Sequence, residues 1–181
     1  SIKSYFSSDF LLKKAEVAFV ENDIKDLTKI TNIFLPKYIN KQLNKIFIKG
    51  KLEGEFNIPF LPDGTISNDY GFSGKVLDAT INLTQEFSIQ GLTTLINHSK
   101  NIDGDVFDIK IQKGSFYDFE LENSKVNLSR RKNETKIRSV LRTNGKFTFS
   151  QIKKISSLFA LNLKHLKDIN GKADLVTNIN F

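Results

Sequence analysis

The chain reads as a mainly β protein: a curved antiparallel multi-strand sheet, assembled from repeated modules, with two short amphipathic helices. Three observations predict this. Apolar residues recur at every second position over most of the 181 residues. The alternating runs lie too close together for parallel crossovers, which need a dozen or more residues each. Helical spacing of apolar residues occurs in only two stretches.

Taken in chain order, the first helix is expected at Leu35, Ile39, Leu43 and Ile46 behind Pro36, ending at Gly50 in a left-handed C-terminal conformation. Leu52, Phe56, Ile58 and Phe60 then alternate as a strand stopped by Pro62, Asp63 and Gly64. Val76, Ile81, Leu83, Phe87 and Ile89 continue the alternation. Between Gly104 and Phe149 short strands follow one another: Phe107, Ile109 and Ile111 on one face, a turn at Lys113 and Gly114, then Tyr117, Phe119 and Leu121, then Val126 and Leu128, and finally Phe147 and Phe149. Ile152, Ile155, Phe159, Leu163 and Leu166 form the second helix, with Ser150 as N-cap and Gly171 at its end.

Two segments are written nearly twice. GKLEGEFNIPF from Gly50 matches GKADLVTNINF from Gly171, and DFLLKKAEVAF from Asp9 matches DFELENSKVNL from Asp118. The matches are collinear, which predicts a long strand, helix and strand module: residues 1–60 as the end of one module, and 61–181 as a second that continues beyond the sequence. The opening at Ser1 and the lack of any Met agree with a piece of a longer chain.

Composition narrows the chemistry. Without Cys, the sequence has no disulfide, no thiolate nucleophile and no Cys-ligated metal. His98 and His165 read as ordinary strand-end and helix-end residues, and Asp103, Asp105 and Asp108 around Gly104 lack the remaining positions of an EF-hand loop. No Gly-flanked Ser elbow or phosphate-cradling Gly loop is present, so neither catalytic residues, metal nor cofactor are expected. The N-x-S/T sequons at Asn82, Asn97, Asn127 and Asn133 arise by accident in an Asn-rich chain. No run approaches the length of a membrane-spanning helix.

The formal charge of +7 is concentrated between Arg130 and Lys172. Arg130, Arg131 and Lys132 fall at an expected hairpin tip, which reads either as a solvated loop or as a contact for phosphate, of nucleic acid or of anionic head groups. The nearest aromatics, Phe116, Tyr117 and Phe119, lie inside strands, which argues against a stacking platform for nucleic acid. A broad sheet carrying sixteen Phe, with only two thin helices to cover it, leaves an apolar face to be filled.

The order LPKYINKQLNKIFIKGKLEGEFNIPF, FSGKVLDATINLTQEFSIQG, DGDVFDIKIQKGSFYDFELENSKVNL, helix and NGKADLVTNINF resembles the AsmA-like superfamily of Gram-negative envelope proteins, in particular its large YhdP and TamB relatives. The likeness runs from about Leu35 to Phe181 and rests on pattern rather than a signature motif. It implies a periplasmic protein held in the inner membrane by a helix outside this sequence, with an apolar β groove that conducts phospholipid between the membranes for outer-membrane biogenesis. Phospholipid acyl chains would then lie against Phe107, Ile109, Ile111, Tyr117, Phe119, Leu121, Val126 and Leu128. Two rival readings are a basic β domain binding nucleic acid through Arg130, Arg131, Lys132, Arg138 and Arg142, and a structural repeat of a surface protein with its sheet closed.

Overall fold

Strands rich in β-branched and aromatic residues, most of them followed by a return too short for a crossover, pair most readily with their sequence neighbours. The computed structural model, which describes residues 1–26, 45–84, 87–131, 134–158 and 170–180, has this arrangement. The strands are β1 (Ile2–Phe6), β2 (Leu12–Asp23), β3 (Phe47–Pro59), β4 (Gly71–Asn82), β5 (Ser88–Asn101), β6 (Gly104–Phe116), β7 (Phe119–Arg131), β8 (Glu134–Phe147) and β9 (Gly171–Asn180). They form one nine-stranded curved sheet in strict sequence order, antiparallel throughout. The first expected helix, with Leu35, Pro36, Ile39 and Leu43, lies outside the described residues. The second is α1 (Phe149–Leu158).

The β2–β3 connection, helical at residues 24–26 and 45–46, and the segment that begins with α1 are two helical inserts that leave the sheet at one end, together with the β4–β5 and β6–β7 turns. Helix α1 starts from a capping box rather than from Ser150. The Thr148 N–H donates to Gln151 Oε1 at 2.7 Å, and the Gln151 N–H donates back to Thr148 Oγ1 at 3.3 Å. Gln151 Nε2 also donates to Asp118 Oδ2 at 2.8 Å, tying the helix start to the β6–β7 turn. Phe149 therefore opens the helix and does not extend the strand of Phe147.

Residues directly opposite in an antiparallel pair share a face, so the register assigns every strand an inward and an outward set. At one level the strands from β2 to β7 reverse that parity together. Inward residues step across a left-handed backbone position at Glu21 (φ 44°), Gly50 (φ 141°), Asp78 (φ 45°), Gly91 (φ 59°) and Asn123 (φ 45°). In β6 they step from Ile111 to Gly114. Because neighbours reverse together, the register recovers on either side, until β7 passes its extra residue to β8 as an ordinary bulge.

This belt corrects several expectations. Gly50 lies within β3, where an added Cβ would sit 2.7 Å from that of fully buried Ala79, and it ends no helix. Gly171 is the first residue of β9. Lys113 and Gly114 form no turn: β6 runs through them, and Gly114 makes room for Ile89 and Leu92. Val76 through Ile89 is a hairpin, not one run. Of the duplicated lines, the two GK segments are β3 and β9, and their matched residues keep their faces: Asn57 and Asn178 outward, Ile58 and Ile179 inward. The upstream lines differ, since β2 precedes its helical insert directly whereas β7 is followed by β8 first. The sheet is continuous through residues 60 and 61, which fall in the β3–β4 connection.

Near the β2 side, Gly54 and Gly74 face each other across β3 and β4, and the Phe72 ring lies over them beside Phe56 (4.8 Å between centroids) and Phe19 (6.3 Å). A methyl on Gly74 would meet Glu53 O at 2.5 Å as well as that ring. Gly74→Ala is expected to lose about 1–3 kcal/mol, read from the urea midpoint with an unchanged slope.

Candidate functional site: an uncovered apolar face

The inward residues of β4 to β8 form continuous rows across the strands. One row is Phe72, His98, Phe107, Leu128 and Ile137, and the next is Gly74, Ile96, Ile109, Val126 and Ser139. Beyond the belt, toward the helical inserts, the same face carries Ala79, Ile89, Leu92, Phe119 and Leu121. The two halves differ in burial. Phe119 is 4% exposed and Leu121 5%, and Leu121 joins Ile24, Val76, Ala79, Ile89 and Leu92 in the core cluster. Phe107, Ile109, Ile111, Val126 and Leu128 remain half-buried.

The half-buried part is open because nothing described stacks on it. The strands make their extensive contacts only with their neighbours in the meander, and β1 does not meet β9, so the sheet closes neither into a barrel nor into a sandwich. Polar atoms within this face are satisfied by backbone. Thr94 Oγ1 donates to Lys110 O at 2.9 Å, and the Arg142 N–H beside the β7 bulge donates to Ser124 Oγ at 2.7 Å. The face thus presents carbon with few competing donors.

Seven of the eight residues expected to line it are brought together. Tyr117 is not among them: it sits in the β6–β7 turn with φ 54°, packed edge-on against Phe116 at 4.9 Å and Phe87 at 5.9 Å. Alternation from Tyr117 to Phe119 and Leu121 had put it on their face, but β7 begins only at Phe119 and Tyr117 falls in the turn before it. The basic trio is also divided. Arg130 pairs with Asp105 on the inward face, Arg131 pairs with Glu134 on the outward face, and Lys132 lies outside the described residues.

Arg130 belongs to a polar rim that the sequence reading missed. The inward row at the end farthest from the helical inserts is Lys100, Asp105, Arg130 and Thr135. Just inside it, His98 Nε2–H donates to Asp105 Oδ1 at 3.0 Å while its ring stacks on Phe107 at 4.3 Å. Tyr70 meets His98 edge-on, and Lys100 Nζ lies 5.3 Å from the Tyr70 ring centre. The phase of Ile96 carried to His98 and Lys100 was the signal that could have found them. Asp105 and Asp108 point to opposite faces, and Asp103 lies in a turn whose amides donate to Asn101 Oδ1.

Groups with displaced pKa values lie elsewhere. Hydrogen bonds from Lys14, and then from Tyr5, hold Glu16 below the ordinary carboxylate value on the outward side of β2, and hydrogen bonds from Thr65 do the same for Asp63. No helix among the described residues is long and apolar enough to cross a membrane. Comparison with protein-family models, with curated proteins and with solved structures finds no match.

The two halves of the face should respond differently to truncation. Leu121→Ala is expected to cost about 2–5 kcal/mol and Leu128→Ala about 1 kcal/mol or less in chemical unfolding. Equal large losses would mean that Leu128 is covered as well.

Proposed function

We propose that the uncovered apolar face holds phospholipid acyl chains, and that the chain is a non-catalytic segment of an AsmA-like periplasmic protein conducting lipid between inner and outer membranes. The observation that carries this reading is the run of half-buried aliphatic and aromatic side chains on β4 to β8 with no described element over it. A contiguous apolar surface of this kind needs an occupant, because water gains nothing from it.

The energetics suit transient holding. A fully buried methylene gains about 0.8 kcal/mol. A chain lying against a single layer is shielded on about one side, so sixteen carbons would gain roughly 6 kcal/mol. That is enough to hold a chain and too little to trap it. The polar rim of Lys100 and Arg130 lies where a head group would leave the face, at the end away from the buried core. The periplasmic location and an inner-membrane anchor outside this sequence follow from the same resemblance.

The test is lipid extraction from protein purified without detergent, followed by mass spectrometry. Phospholipid is expected with the parent protein and with Leu95→Asp, which places a charge on the outward face between Lys75 and Lys110. It should be lost from Val126→Asp, opposite Ile109. No lipid in the parent, or equal lipid in both variants, would overturn the reading. Phe119 is unsuitable for the experiment because a charge in its buried site would unfold the protein.

A further inference from the structure

We infer that the outward face of β6 to β9 docks flat on an anionic phospholipid bilayer. This surface uses none of the inward residues, so it stands or falls separately from the lipid-holding reading.

Two lysine pairs on this face are placed directly opposite each other across strands: Lys110 with Lys125, and Lys146 with Lys172. All four are exposed, and among the described residues none makes an ion pair within 4.0 Å. Like charges directly opposite destabilise a sheet. Such pairs are tolerable where an external anion neutralises both members. Arg142, also exposed and outward, lies on β8 between the levels of the two pairs, and Arg138 lies one outward row beyond the first pair.

The acids of the same face offset this array only in part. Glu134 is engaged by Lys136 at 3.2 Å, and Asp108 accepts from Asn127. Glu120 and Asp174 flank Asn144 in the row between Arg142 and Lys146, and Glu122 lies opposite Lys113. At ordinary strand spacings the cations spread over roughly 14 Å across the strands and 27 Å along them. A two-dimensional array of this kind matches a plane of head groups better than a single polyanion strand. The outward residues here include Val106, Val140 and Val176 but no aromatic among the described residues of β6 to β9, so no base-stacking platform is present. A depression of about 330 Å³ on this face has Arg131, Lys136 and Arg138 in its lining, together with the carboxylates Asp108 and Glu134.

The experiment is flotation of the full chain with vesicles of phosphatidylcholine alone or with about one third phosphatidylglycerol, at roughly 0.05 M and 0.5 M salt. Binding is expected only to the anionic vesicles, falling about tenfold or more at high salt. The quadruple variant K110Q/K125Q/K146Q/K172Q should lose about tenfold or more of that binding, while Val126→Asp should bind as the parent does. Removing the opposed charges should leave the thermal midpoint of the quadruple variant equal to or above that of the parent, which separates lost binding from lost folding. Absence of binding to anionic vesicles, equal binding to neutral ones, or tighter binding to an oligonucleotide at the same salt would each overturn the inference.

Discussion

The whole arrangement depends on keeping one face of a single β layer apolar across long strands that bend. A strand of 13 residues, such as β3, cannot curve sharply while holding strict alternation, because every kink that adds a residue sends the next apolar side chain outward. Here the kinks are aligned. When β2 to β7 reverse parity at the same level, each apolar residue that would turn out is replaced by another turning in, and Gly50 can approach Ala79 where the sheet folds most tightly. Asp and Asn tolerate the left-handed conformation better than most residues, which accounts for Asp78 and Asn123. Glu21 has no such excuse, and its position next to the helical insert is where the bend must begin.

A bent single layer buries little. The accessible surface is 12551 Å², against roughly 8,900 Å² expected for a compact monomer of 20.6 kDa. The buried hydrophobic residues cluster on the helix-insert side of the belt and along it, so stability and exposure are separated in space: one end of the face is a core and the other a surface. The separation follows from topology. The two longest connections, β2–β3 and β8–β9, leave from the end where that core lies.

How much of this was legible in the sequence follows from the same belt. The mainly β class, the antiparallel pairing and the face shared by Phe107, Ile109, Ile111, Val126 and Leu128 were readable because they lie on one side of the kinks, where period two holds. Misreadings occurred where the phase changes. Gly114 looked like a turn because alternation breaks there, and Gly50 looked like a helix end because a glycine with positive φ serves both a C-cap and a bulge. A lone sequence shows a phase break but not its cause: a turn separates two strands, whereas a bulge continues one. The rim around His98 and Asp105 was hidden for a different reason, since it joins residues of β5 and β6 whose pairing depends on the turn at Ile102 and Asp103.

The two edges of an open sheet present unpaired backbone, and this one treats them unequally. Strand β1 has five residues and a register shift before Phe6, and it is pinned on its outward side. Tyr5 O–H donates to Glu16 Oε2 at 2.8 Å, and Lys14 reaches Glu16 at 2.6 Å. Glu16 is lowered by these bonds, so its contribution is present above the ordinary carboxylate value and is lost as pH falls through the lowered one. Lys14 is raised by the same carboxylate, so its contribution is present below the ordinary lysine value and is lost as pH rises through the raised one. The pin therefore holds across the whole neutral range. Strand β9 has ten residues and no proline, no such clasp holds it among the described residues, and Leu175 on its inward side is 47% exposed at this edge of the sheet. The inward rows end at β9 on Ala173, Leu175, Thr177 and Ile179, so any antiparallel strand added there would extend the face in phase over ten residues, whereas β1 offers a template of only five.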